Sequence, residues 1–74
     1  MWYEGRIPMA NGEYYYQAKV YETGSNYGIN DGRISKLFIK KNDVCVFNYD
    51  RGDDVNHLDE DGYKVYDAIL GIYA

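Results

Sequence analysis

The stretch that decides the fold is Ile34-Ser35-Lys36-Leu37-Phe38-Ile39-Lys40-Lys41, followed after Asn42-Asp43 by Val44-Cys45-Val46-Phe47-Asn48-Tyr49-Asp50. Both halves are rich in β-branched and aromatic residues, and turn-forming residues separate them. They read as two strands, residues 34–41 and 44–50. Loop length then decides which side chains share a face. A three-residue loop, Lys41-Asn42-Asp43, pairs Lys40 with Val44, Ile39 with Cys45, Leu37 with Phe47 and Ser35 with Tyr49. Leu37, Ile39, Cys45, Phe47 and Tyr49 then line one face as a core. A two-residue loop pairs Leu37 with Asn48 and scatters the apolar set, so the three-residue loop is expected.

Working outward, residues 13–22 (EYYYQAKVYE) read as a long strand with Tyr14, Tyr16, Ala18 and Val20 on one face. Tyr15, Gln17, Lys19 and Tyr21 take the other. Residues 2–7 (WYEGRI) read as a short strand, stopped by Pro8 and turned by Ala10-Asn11-Gly12. Residues 23–33 hold three glycines and two asparagines, so positive φ angles are expected there. Asn30-Asp31-Gly32 carries a hairpin signal, with Tyr27 and Ile29 extending the strand before it. Residues 51–58 are a loop by composition. Asp59-Glu60-Asp61 then opens a helix, because acids suit its positive end. Tyr63, Tyr66, Ile69, Leu70 and Tyr73 follow at helical spacing. The expected fold is α+β, a four-stranded antiparallel meander with one C-terminal helix packed on one face. The expected core includes Val20, Leu37, Ile39, Phe47, Ile69 and Leu70.

The chain has 74 residues and a formal net charge of −4. That length is read as a single domain, residues 1–74. A domain this size buries only roughly 60% of its unfolded surface and is marginal. One cysteine allows no disulfide within the chain. Ten tyrosines supply burial area in its place, each with a hydroxyl that tolerates partial exposure. MWYEGRIP has no basic start followed by an apolar run, so no signal peptide is read, and no apolar run reaches the ~20 residues of a membrane span. A cytoplasmic location is expected. Net acidity weakens a nucleic-acid role, since phosphate affinity comes from Lys and Arg.

Gly28-Ile29, Gly32-Arg33-Ile34-Ser35-Lys36-Leu37 and Asn48-Tyr49-Asp50-Arg51-Gly52, with Trp2 and Gly5 near the start, stand out as two motifs and their flanks. In these residues the chain resembles a family of small uncharacterised proteins of Gram-positive bacteria and their phages. The resemblance covers most of the chain, up to about residue 54. Members of that family often carry Trp after the Arg-Gly pair, where this chain has Asp53. The resemblance implies a grouping and a phage or mobile-element setting. It implies no activity.

Catalytic chemistry finds little support. A nucleophile needs a base beside it, and the one candidate pair, Cys45 with His57, puts the thiol mid-strand and facing inward. Asp50, Asp53, Asp54, Asp59, Glu60 and Asp61 lack the calcium-loop spacing and read as a solvated acidic face, three of them explained by the helix start. Two carboxylates across a cleft need a larger concave scaffold. Arg51-Gly52-Asp53 spells an adhesion tripeptide, a chance match in a chain with no signal peptide. The glycine loop 24–32 lacks the Gly-Lys-Ser/Thr ending of a phosphate cradle and no helix follows it. No enzyme, cofactor or metal is expected.

Surface chemistry points to contact instead. Lys36, Phe38 and Lys40 share one face of the third strand, and Tyr15, Lys19 and Tyr21 share the outer face of the second. Aromatic and basic side chains on an open sheet suit a protein interface. They also suit single-stranded nucleic acid, through stacking plus charge, and the acidity of the chain ranks that second. The candidate surface is Trp2, Tyr15, Tyr21, Arg33, Lys36, Phe38 and Arg51. One of Asp50 and Arg51, Arg51 in preference, is expected to be partly buried and to bond to loop 24–33, because a guanidinium satisfies several acceptors at once. A homodimer is expected, since an uncovered sheet edge templates another chain and two-fold closure is the usual outcome. A host protein is the other expected partner, and no membrane partner is.

Overall fold

The structure, a computed structural model, describes residues 1–50 and 52–73, with Asp53 and Asp54 described by backbone alone. Five strands form one antiparallel sheet in chain order: β1 (Trp2–Met9), β2 (Gly12–Val20), β3 (Ile34–Lys41), β4 (Val44–Asp50) and β5 (Asp53–Asn56). A helix, α1 (Glu60–Tyr73), follows. The α+β class and the C-terminal helix are as expected, but the described residues form five strands rather than four. The fifth lies in the stretch read as a loop. It is four residues long, pairs with β4 at the sheet edge, and Asp53-Asp54-Val55-Asn56 has no apolar alternation to mark it.

The core forms where the alternation of β2 and β3 meets the helix. Tyr14, Tyr16, Ala18 and Val20 are buried with Ile34, Leu37, Ile39 and Phe47. Val65 and Ile69 of α1 close over them, and Ile29 enters from the long loop. Fully burying a residue such as Val65 or Ile69 contributes roughly 1.5–3 kcal/mol. Leu70, expected in the core, is half-buried and packs against its rim, while Val65 takes the deeper place. Tyr73 stacks on Tyr3 with ring centroids 5.0 Å apart and shares a 2.8 Å hydroxyl contact with Tyr16. Burial, and then the Tyr16 hydroxyl, push the Tyr73 phenol up to about 12.

The β3–β4 register departs from expectation in an instructive way. Asn42 and Asp43 both have positive φ, 50° and 66°, and join the strands through a two-residue turn of the primed kind. Lys41 therefore faces Val44 and Lys40 faces Cys45. A bulge between Ile39 and Lys40 then adds one residue on β4, so Ile39 faces Phe47 and Leu37 faces Tyr49. The apolar set still shares a face, except Cys45. It pairs with Lys40, not Ile39, and is not the inward core residue expected.

Pro8 does not stop β1. Met1 and Val20 exchange two 2.8 Å backbone bonds, and antiparallel alternation then turns Tyr3, Gly5, Ile7 and Met9 toward β2. Trp2, Glu4, Arg6 and Pro8 turn their backbone groups outward. Proline has no N–H to offer at an outward position, so the strand runs through it to Met9. Strand β2 ends at Val20 rather than residue 22, where a bulge at Lys19/Val20 breaks its pairing with β3.

Candidate interaction surface

The helix covers one face of the sheet. The other face is built from rows read straight across the strands. Trp2, Lys19, Lys36 and Asp50 form one row; Glu4, Gln17, Phe38, Asn48 and Val55 the next; Arg6, Tyr15, Lys40 and Cys45 the third. Four of the seven expected surface residues, Trp2, Tyr15, Lys36 and Phe38, lie in these rows. Tyr21 follows the end of β2 and its ring lies 5.5 Å from the Lys19 ammonium. The guanidinium of Arg6 lies 5.1 Å from the Tyr15 ring centroid, and Lys40 lies 5.5 Å from that of Phe38. Cations over aromatic faces hold these long side chains down and keep the surface flat. Arg6 also pairs with Glu13 at 2.9 Å, and Lys36 with Asp50 at 3.7 Å. The Tyr15 hydroxyl donates to Glu4 at 2.5 Å; that bond, then burial, raise its pKa above the ordinary phenol value. Trp2 is 56% exposed at the rim, beside a hollow of about 340 Å³ lined with Tyr3, Glu4 and Gln17.

Arg33 does not belong to this surface. Its Nε donates to the carbonyl of Tyr73 at 3.1 Å, tying the long loop to the last turn of α1. Arg51, expected to bond to the loop, lies outside the described residues. Tyr49, two positions earlier, makes a bond to that loop: its hydroxyl donates to the Tyr27 carbonyl at 2.9 Å. Asp50 turns to Lys36 instead.

The glycine loop joins the antiparallel neighbours β2 and β3, the hairpin connection expected, and it also plugs the core with Ile29. Ile29–Asp31 form a short 3₁₀ turn, closed by Asp31 N–H to Gly28 O at 3.0 Å and Gly32 N–H to Ile29 O at 2.9 Å. Asn30 and Asp31 hold positive φ, as their type favours, but they lie in a 3₁₀ turn that sets Ile29 in the core, inside a long connection rather than at a tight hairpin turn.

A polar junction that the sequence did not mark sits at the start of α1. Asp59 caps the helix by accepting the Gly62 N–H at 2.7 Å. It also accepts Tyr14 Oη at 2.8 Å, Lys41 Nζ at 2.8 Å and Asn11 Nδ2 at 3.0 Å. One carboxylate thus joins the helix to the β1–β2 turn, β2 and the end of β3. Lys41, then Tyr14, then the Gly62 amide hold it well below the usual carboxylate range. The folded chain takes up this proton more weakly than the unfolded chain, so acid favours unfolding. The contribution is fully present above about pH 4 and fades as the pH falls further. Asp59→Ala is expected to lower Tm at neutral pH by about 4–8 °C, the loss of a helix cap in a domain this size. Below about pH 4 the variant's Tm is expected to fall less steeply than the parent's. Thermal melts across that range check this, and parallel acid slopes would contradict it.

The site is a flat, aromatic and mixed-charge sheet face with a rim tryptophan, on an α+β domain of one antiparallel sheet and one C-terminal helix. The chain belongs to the family described as Domain of unknown function (DUF7678), whose model matches residues 1–74. No curated protein and no solved structure matches the chain. Among the described residues, no helix is long and apolar enough to cross a membrane.

Proposed function

We propose that the chain is a non-enzymatic interaction module that self-associates into a homodimer through its uncovered sheet surface. One observation carries this reading: five strands share one sheet, one helix covers one face, and Trp2, Tyr15 and Phe38 lie on the other. Aromatic side chains flattened by cations are what interface centres are enriched in. The resemblance in the GRISKL and NYDRG segments adds a bacterial, phage or mobile-element setting and with it a host protein as a further partner; a cytoplasmic location fits that reading. Sedimentation of micromolar protein tests the core of the reading. A dimer that persists in high salt is expected, since aromatic burial is not screened. A clean monomer at every concentration would contradict it.

Single-stranded nucleic acid is the second reading. Arg6, Lys19, Lys36 and Lys40 interleave with Tyr15 and Phe38 on that face, and stacking plus charge binds single strands. A random oligonucleotide discriminates. Binding that falls steeply with salt supports this reading over the first.

A further inference from the structure

The two edges of the sheet differ. Edge strand β5 is four residues long and opens with two acids, the features that discourage pairing. Edge strand β1 is eight residues long and pairs with β2 along its whole length. Its outward row consists of the N–H groups of Trp2, Glu4 and Arg6 and the carbonyls of Trp2, Glu4, Arg6 and Pro8. Glu13, opposite Pro8, confirms the phase, because its carbonyl accepts from Asn42 on the β3 side at 3.2 Å.

We infer that the dimer forms by antiparallel pairing of β1 with β1 of a second copy, about a two-fold axis at Gly5. This rests on the self-association reading above and specifies where it happens. The register follows from charge. Only registers that bring outward-facing residues opposite one another can bond, so they differ in steps of two. Centring on Glu4 sets Glu4 against Glu4 of the second copy. Centring on Arg6 sets Arg6 against Arg6. Centring on Gly5 sets Glu4 against Arg6 twice, Trp2 against Pro8 twice and Tyr3 against Ile7 twice. Opposite charges then face across the new ladder on the uncovered face, and apolar pairs face on the helix side. Glu4 and Arg6 keep capacity for this: a guanidinium has five donors and a carboxylate about four acceptor sites. Pro8, which has no N–H, falls opposite Trp2, whose N–H meets the proline carbonyl. Two sheets merge into one, and the exposed Trp2 ring gains a proline neighbour.

Amide hydrogen exchange on the unmodified chain tests this together with sedimentation. In a dimer, the amides of Trp2, Glu4 and Arg6 are expected to slow by about tenfold or more as concentration rises, as hydrogen-bonded amides do. A dimer in which those three amides stay fast would overturn the edge inference and leave self-association standing. A monomer at all concentrations would overturn both. Charge exchange fixes the register: Glu4→Arg and Arg6→Glu are each expected to weaken the dimer by about tenfold, and the double variant to restore it, since like charges across a strand pair repel and opposite ones attract. A double variant no better than either single change would overturn the Gly5-centred register. Glu4→Pro removes an outward N–H that no intrachain bond uses, so the monomer fold is retained and the dimer is lost; a Glu4→Pro dimer of parental affinity would overturn the inference.

Discussion

Leu37→Ala is expected to leave the chain largely unfolded at room temperature. Leu37 is 1% exposed and faces Tyr49 across β3–β4 and Ala18 across β2–β3. Truncating such a residue costs about 2–5 kcal/mol, transfer and cavity together. A core of this size supplies no more than about 3–5 kcal/mol of net stability. Ile69→Ala, at the centre of the helix face, is expected to do the same. Phe38→Ala is the contrasting variant. Phe38 lies on the uncovered face two strands in from β1, so its loss is expected to change Tm little and to leave the β1-to-β1 contact intact. Urea melts followed by circular dichroism check all three. A Leu37→Ala variant melting with the parent would contradict the register described for β3 and β4.

The second large effect is expected at Gly28. A Cβ built there falls 1.9 Å from the Gly32 carbonyl oxygen, a backbone atom that no rotamer change can move aside. Ser25 N–H bonds to that same Gly32 oxygen and Gly28 N–H to Ser25 O, so the loop closes only because residue 28 has no side chain. Gly28→Ala must open the loop and withdraw Ile29 from the core. Overpacking of this kind costs roughly 1–3 kcal/mol, and loss of Ile29 burial adds to it. A fall in Tm of roughly 10–20 °C is expected, given about 4–8 °C per kcal/mol in small domains. Gly71→Ala is the control, because a Cβ there meets nothing within 4 Å. Equal melts for the Gly28→Ala variant and the parent would show that the loop does not hold the core closed.

Much of the fold was legible because it rests on alternation. The two faces of residues 14–21 and the helical spacing of residues 63–73 follow from side-chain periods alone, and Tyr16 and Ile69 are buried as those periods require. The register of β3 and β4 was not legible, for a local reason. Asn42 and Asp43 adopt two consecutive positive φ angles and shorten the turn by one residue; the bulge on β4 then restores the apolar face. Two departures thus cancel in the packing and survive only at Cys45. Pro8 misled for a different reason. Proline excludes a position from a ladder only when its N–H would face a partner, and which way residue 8 faces depends on the turn at residues 10–11.

The site divides in the same way. Tyr15, Phe38 and Lys36 were placed on one surface by parity within a strand and by the pairing of neighbours. Arg33 was misplaced, because its partner, the Tyr73 carbonyl, is a helix-end backbone group forty positions away that no residue type announces. The sequence marks Asp59 only as a helix start. Its bonds to Asn11, Tyr14 and Lys41 bring together residues whose proximity is created by the hairpin turns at one end of the sheet.

The proposed dimer meets at the β1 edge of the uncovered sheet surface. A dilution series of nitrogen-15 amide spectra tests it most directly. Resonances of β1, the exposed Trp2 among them, are expected to shift with concentration, while those of β3 and of the outer side of α1 stay fixed. Spectra identical at every concentration, or shifts confined to the helix side, would contradict it.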